Sequence, residues 1–171
     1  MPPEMMSRAA LRRSYFSIAV LVIAADRLSK VLIRRHVPLH YGNVPVVPHF
    51  FSLTHVENTG AAFSLLADWP LNVRLPLLLS FSIVALGVVG YLLWNSARRF
   101  TWTGLALALI LGGALGNLYE RILYGRVTDF LHCYIGTHSW PDFNLADSAI
   151  VIGTSVLVLQ LVIGGKAPHE S

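Results

Sequence analysis

Hydrophobic positions in this chain gather into long uncharged blocks. Leu75 to Trp94, Phe100 to Tyr119 and Ser148 to Gly165 contain no Asp, Glu, Lys or Arg. About 20 such residues cross the ~30 Å hydrocarbon of a bilayer as one helix. A fourth block, Ser14 to Ala25, is shorter, but the helical pattern continues through Asp26, Lys30 and Ile33. Arg8, Arg12 and Arg13 before this block could mark a cleaved signal peptide. The following "DRLSKVLIRR" argues instead for an uncleaved helix, because Leu28, Val31 and Leu32 share one face.

The pattern predicts a membrane α-helical fold with four transmembrane helices, a small extracytoplasmic β-domain and a short interfacial helix. A single integral membrane domain over 1–171 is expected, with helices at about 14–35, 71–95, 100–122 and 145–165. Between the first two helices, over about 36–70, the pattern changes. "NVPVVPHFFSLTHVEN" alternates Phe51, Leu53 and His55 with Phe50, Ser52 and Thr54, which predicts a β-hairpin or small sheet. Gly60 to Ala67 then reads as a short amphipathic helix on the membrane surface.

Composition agrees with this picture. The chain has 171 residues, 54% of them apolar and 13% charged. Soluble domains carry about 25% charged residues. Mean hydropathy is +0.59 and the sequence pI about 9.6. With no nucleic-acid motif present, the net charge of +4 fits basic side chains at lipid headgroups. The lone cysteine, Cys133, excludes an intrachain disulfide framework.

Orientation is balanced by count. With four helices, Arg8, Arg12, Arg13, Arg98, Arg99 and Lys166 share the side of the termini. Arg27, Lys30, Arg34, Arg35, Arg74, Arg121 and Arg126 lie on or near the other. The arginines before the first inserted helix favour cytoplasmic termini. Trp94 and Trp102 border one interface, and Trp69 and Trp140 the other.

The same topology brings Asp26, Lys30, Asn117, Arg121, Asp129, Asn144 and Asp147 to one membrane face. No similar polar cluster occurs at the other. Asp129 and Asp147 flank the loop between helices 3 and 4, so packing of those helices lets their carboxyls approach. Two close carboxyls cannot both ionise and share a proton, leaving one base and one acid. The bland alternative, two Asp residues that cap helices or sit among headgroups, is disfavoured because ionisable groups at membrane depth default to function. Asp142, beside Trp140 and Pro141, is not part of the expected pair.

Asp26 and Lys30 are spaced i, i+4, as are Asn117 and Arg121. The first spacing predicts a neutralising ion pair near the interface. The second could hold an extended peptide backbone or an anionic headgroup. Gly112 to Gly116 has the small-xxx-small spacing of close helix packing. His36 and His40 are separated by Pro38, and Asp129, His132, Cys133 and His138 match no established metal site. No HExxH or GxSxG motif occurs, and Ser29 and Lys30 point about 100° apart on a helix. No metal or cofactor is expected.

Five motifs occur in order: "DRLSK" at 26–30, "NTGAAFS" at 58–64, "GNLYER" at 116–121, "VTDF" at 127–130 and "FNLADS" at 143–148. With these the chain resembles the bacterial lipoprotein signal peptidases, or signal peptidase II, over nearly its whole length. The resemblance implies an aspartyl endopeptidase of the bacterial cytoplasmic (inner) membrane that removes signal peptides from diacylglyceryl-modified prolipoproteins. Cleavage would fall just before the lipidated cysteine. Asp129 and Asp147 would be the catalytic pair. Asn58, Asn117, Arg121 and Asn144 would bind substrate, with Asp26, Lys30, Gly60 and Ser148 in support. The partners implied are lipidated prolipoproteins and membrane lipids, with inhibition by globomycin-type peptides. Glu120 departs from the family, which more often has Asp before the Arg. A longer acid there is expected to be tolerated if it faces headgroups.

The alternative is a small proton or ion pathway lined by Asp26, Asp129 and Asp147. A pathway needs polar groups through the full bilayer depth, whereas the terminal half of each helix is almost wholly apolar.

Overall fold

The computed structural model describes residues 7–60, 66–96 and 101–164. The described residues form four helices: α1 (Arg8–His36), α2 (Leu71–Ser96), α3 (Trp102–Tyr124) and α4 (Leu145–Gly164). Four strands accompany them: β1 (Asn43–Val47), β2 (Phe51–Asn58), β3 (Val127–Ile135) and β4 (His138–Ser139). Three helices are long and apolar enough to cross a membrane, namely α2, α3 and α4.

Helix ends follow local chemistry. The Ser7 side chain accepts from the Ala10 N–H, so α1 starts well ahead of residue 14. Leu11 of that added length is buried, as is Tyr15 one turn further on. Thr101 caps α3 by accepting from the Gly104 N–H, and its own N–H donates to the Tyr15 hydroxyl at 2.8 Å. Gly125 ends α3 at φ 67°, a left-handed value that glycine adopts without steric cost.

Helix α3 is the centre of the bundle and packs on α1, α2 and α4. Its glycines permit this. A Cβ at Gly112 would lie 2.7 Å from the Ala19 carbonyl oxygen, and one at Gly113 would lie 2.3 Å from that of Ala146. Gly153 of α4 returns the arrangement against Ala106. Such small-residue seams let helix backbones touch where lipid supplies no hydrophobic drive for association. Leu11, Tyr15, Ala19, Leu93, Leu107, Ala108 and Leu111 fill the bundle core. Phe81, Val84 and Tyr91 of α2, and Val151, Leu161 and Ile163 of α4, point outward and are exposed. An apolar exterior around a tightly packed interior suits lipid rather than water.

The sheet is antiparallel in the order β1-β2-β3-β4. The expected hairpin corresponds to β1 and β2. Its alternation is broken by a shift of register between Leu53 and Val56, which buries Ser52 and His55 together. Strand β3 lies where an irregular loop was expected. Val127, Thr128, Asp129 and Phe130 are all buried, so this strand lacks the two-residue period of a half-exposed one. Ile33 of α1 and its C-cap residue Val37 pack with Phe130, Leu53, Leu131 and Leu145, joining the sheet to the bundle. Residues 61–65 of the expected surface helix lie outside the described residues.

Candidate active site

Asp129 sits on β3 opposite Val56 of β2, while Asn58 pairs with Val127. Asn58 and Asp129 are therefore diagonal neighbours on one sheet face. The Asn58 amide donates to Asp129 Oδ2 at 3.0 Å, and the Asn58 Oδ1 accepts the Gly60 N–H at 2.9 Å. A second strand-like contact fixes the other side. The Phe143 carbonyl accepts both the Phe130 and Leu131 N–H groups, and the Phe143 N–H donates to the Leu131 carbonyl. This holds the next residue, Asn144, beside Asp129.

Asn144 is the N-cap of α4. Its Oδ1 accepts the Asp147 N–H at 2.9 Å, and its own N–H donates to Asp147 Oδ2 at 3.2 Å. That reciprocal pair is a capping box built from Asn and Asp. The Asn144 side-chain nitrogen faces the other way. It donates to Asp129 Oδ1 at 2.7 Å and to Asn117 Oδ1 at 3.3 Å. Asn117 in turn donates to Asp147 Oδ1 at 2.7 Å. Both aspartates are thus bound to one asparagine.

Beneath the pair lies a charged cluster with no solvent contact. Lys30, fully buried, meets Asp26 at 2.8 Å, Glu120 at 3.3 Å and Asn117 Oδ1 at 3.1 Å. Its hydrogen bond goes to Asn117, and it meets the two carboxylates as ion pairs. The other Asp26 oxygen accepts the Ala146 N–H at 3.1 Å, one residue before Asp147. The expected interface ion pair is therefore a buried one, tied to the first turn of α4. Glu120 does not face headgroups. It is fully buried, accepts from Arg27, Arg34 and the Thr128 N–H, and was not foreseen as part of the site. No sequence signal marks this, since Arg27 and Arg34 reach it from another helix.

Arg121 donates to the Gly60 carbonyl at 3.1 Å and lies in the field of Asp147 and Asp129. Ser148 donates back to the Asn144 carbonyl at 2.9 Å, supporting the start of α4. Asp142 lies apart, accepting from Thr54 at 2.6 Å with His132 at 3.1 Å. All ten residues singled out from the sequence therefore connect into one network, and Asp142 stays outside it. Among the described residues no group of three or more His, Cys, Asp or Glu side chains is arranged to hold a metal.

Burial drives the Asp129 carboxyl up to about 7, and the charge of Asp147 pushes the same way. Hydrogen bonds from Asn58 and Asn144 and the charge of Lys30 oppose this. Asp129 consequently holds a proton in a range where free carboxyls have lost theirs.

An apolar helical bundle with two linked carboxyls at its sheet end is the architecture of a membrane protein. The family model described as signal peptidase (SPase) II matches residues 18–163. The lipoprotein signal peptidase of Geobacter sulfurreducens is 41% identical over 150 residues, covering 88% of this chain and 92% of its own. That of Aeromonas hydrophila is 43% identical over 148 residues, covering 84% of each. A bacterial membrane enzyme solved by the in meso method at 2.3 Å superposes with a TM-score of 0.82 and 28% identity, covering 92% of this chain and 93% of that one. A second such enzyme, solved at 1.9 Å, gives 0.75 and 30% over 86% of this chain and 92% of its own. The chain belongs to the signal peptidase II family, and so to the membrane hydrolases of lipoprotein processing.

Proposed function

We propose that this protein is an aspartic endopeptidase that cuts diacylglyceryl-modified prolipoproteins immediately before the lipidated cysteine. The observation that carries this reading is the Asn144 bridge, which holds one carboxyl that keeps its proton near neutrality beside a second. In the reaction, Asp147 takes a proton from the attacking water. Asp129 donates its proton to the scissile carbonyl oxygen, giving a tetrahedral diol. Collapse of the diol breaks the C–N bond as a proton passes to the leaving amine, and the pair returns to its starting state. No metal or cofactor takes part.

Four transmembrane helices complete the reading. At 1.5 Å per residue the 29 residues of α1 are about 43 Å long, enough to cross with its charged turns at the two interfaces. An even number of crossings puts both termini on one side, and the arginines ahead of α1 favour the cytoplasm for that side, which leaves the aspartates near the outer face of the inner membrane. Arg121 and Asn58 both hold Gly60 beside the pair, and there they engage the substrate backbone. Asn117 and Asn144 are held mainly by the pair itself, which makes them aligners as much as binding groups. Globomycin-type peptides would compete for the same residues.

A gel-shift cleavage assay on a lipidated prolipoprotein tests the reading. Wild type cleaves and is blocked by globomycin, whereas Asp129→Asn and Asp147→Asn leave the precursor intact while remaining folded. Full processing by Asp147→Asn protein contradicts the assignment. A proton or ion pathway predicts instead that purified wild type collapses an ion gradient across liposomes.

A further inference from the structure

Glu120 reaches both aspartates through separate short chains of contacts. Its Oε2 accepts the N–H of Thr128 at 2.8 Å, and Thr128 directly precedes Asp129. The same oxygen meets Lys30 at 3.3 Å, Lys30 donates to Asn117, and Asn117 donates to Asp147. Oε1 receives Arg27 at 3.1 Å and Arg34 as well. Arg34 also donates to the Thr128 hydroxyl at 2.9 Å.

An acid needed only to balance buried cations would have no reason to bind the backbone beside Asp129. This one does, and its link closes a short segment that turns through left-handed Gly125. The carboxylate thereby fixes the angle at which β3 leaves α3. Because Glu120 has no exposed surface, water cannot take over the Thr128 bond. We propose that Glu120 is a positioning residue that sets the spacing of Asp129 and Asp147 by gripping the Thr128 backbone and the Lys30 ammonium together. The inference rests on the peptidase reading of the pair.

Steady-state kinetics on a diacylglyceryl-modified peptide, with the full-length protein in detergent, test it. Glu120→Gln keeps the size and an acceptor oxygen but removes the charge. Its kcat should fall on the order of 10- to 100-fold, as for reacting groups displaced by about 1 Å. KM should stay within about twofold, because no substrate contact is lost. The alkaline limb of its kcat profile should also move to lower pH. Lys30, no longer balanced, then acts more strongly on Asp129, whose other neighbours are Asp147, Arg121, Asn58 and Asn144. A mere loss of folded protein lowers the amplitude and leaves the limb in place.

Glu120→Asp keeps the charge but draws it back from Thr128, so it should show a smaller fall in kcat and an unmoved limb. It carries the test if the Gln protein does not fold. Wild-type kcat in either folded variant, a loss confined to KM, or an unmoved limb in Glu120→Gln overturns the role. Asp147→Asn in the same assay separates the two levels. Cleavage by it removes the peptidase reading, whereas its inactivity alongside wild-type behaviour of the Glu120 variants removes only the positioning role.

Discussion

The amide nitrogen of Asn144 lies 2.7 Å from Asp129, while the oxygen of the same side chain caps the helix that carries Asp147. The two roles can be separated by substitution. Asn144→Asp retains a capping oxygen but loses the donor and sets a third acid against Asp129. Cleavage should be lost, and Tm should fall because of the buried third acid although the cap is kept, a fall that lower pH relieves. Asn144→Ala loses the cap as well, at about 1 kcal/mol. Thermal denaturation in detergent beside a cleavage assay distinguishes them, and an active Asn144→Asp protein contradicts the bridging role.

Activity should decline as pH rises through about 7. Asp129 must hold its proton to act as an acid, and burial together with Asp147 places its titration there. Below that range the acid is loaded; above it the acid is spent. Asn58 stabilises the ionised form by hydrogen bonding, so removing it favours the protonated one. Asn58→Ala should therefore move the alkaline limb to higher pH, whatever it does to the maximum rate. A kcat profile from pH 5.5 to 9 reads the shift, and a limb displaced downward contradicts the assigned sign.

Lys30→Met should destabilise the fold more than any single change on the outer face of the bundle. It leaves Asp26 and Glu120 buried without their shared cation, and breaking a buried pair costs about 3–5 kcal/mol. Reversible unfolding in mixed micelles measures this. A Tm equal to that of the wild type would show the cluster to be dispensable.

Gly113→Val should loosen α3 from α4, because the Cβ alone would lie 2.3 Å from the Ala146 carbonyl. Overpacking of this kind costs about 1–3 kcal/mol. The displaced segment leads directly into Asp147, so cleavage should fall with stability. Gly87→Ala is the control, since nothing lies within 4 Å of its added methyl. Equal behaviour of the two variants would mean that the seam does not align the site.

Part of this architecture is legible in the chain itself. Uncharged blocks marked α2, α3 and α4 because hydrocarbon enforces apolarity along a whole helix. The gathering of Asp26, Asn117, Asp129 and Asp147 followed from counting crossings, which requires no knowledge of packing. Strand β3 escaped notice because Thr128, Asp129 and His132 interrupt its apolar run, and burial on both faces leaves no alternation to detect. Glu120 was misjudged for a related reason. An acid one turn from the end of an apolar helix looks like a headgroup contact until Arg27 and Arg34 are seen converging on it. The i, i+4 spacing gave the Asp26–Lys30 pair but not its depth, which depends on how closely α1 approaches Gly116.

Asn144 couples timing to chemistry. If the first turn of α4 frays, the residue that releases the helix is also the one that lets go of Asp129. On the proposed mechanism, the acid and the base would be aligned only once that turn is capped. For a hydrolase synthesised into the membrane that also holds every other polypeptide in transit, silence during assembly is a safeguard. It would come here from a single amide.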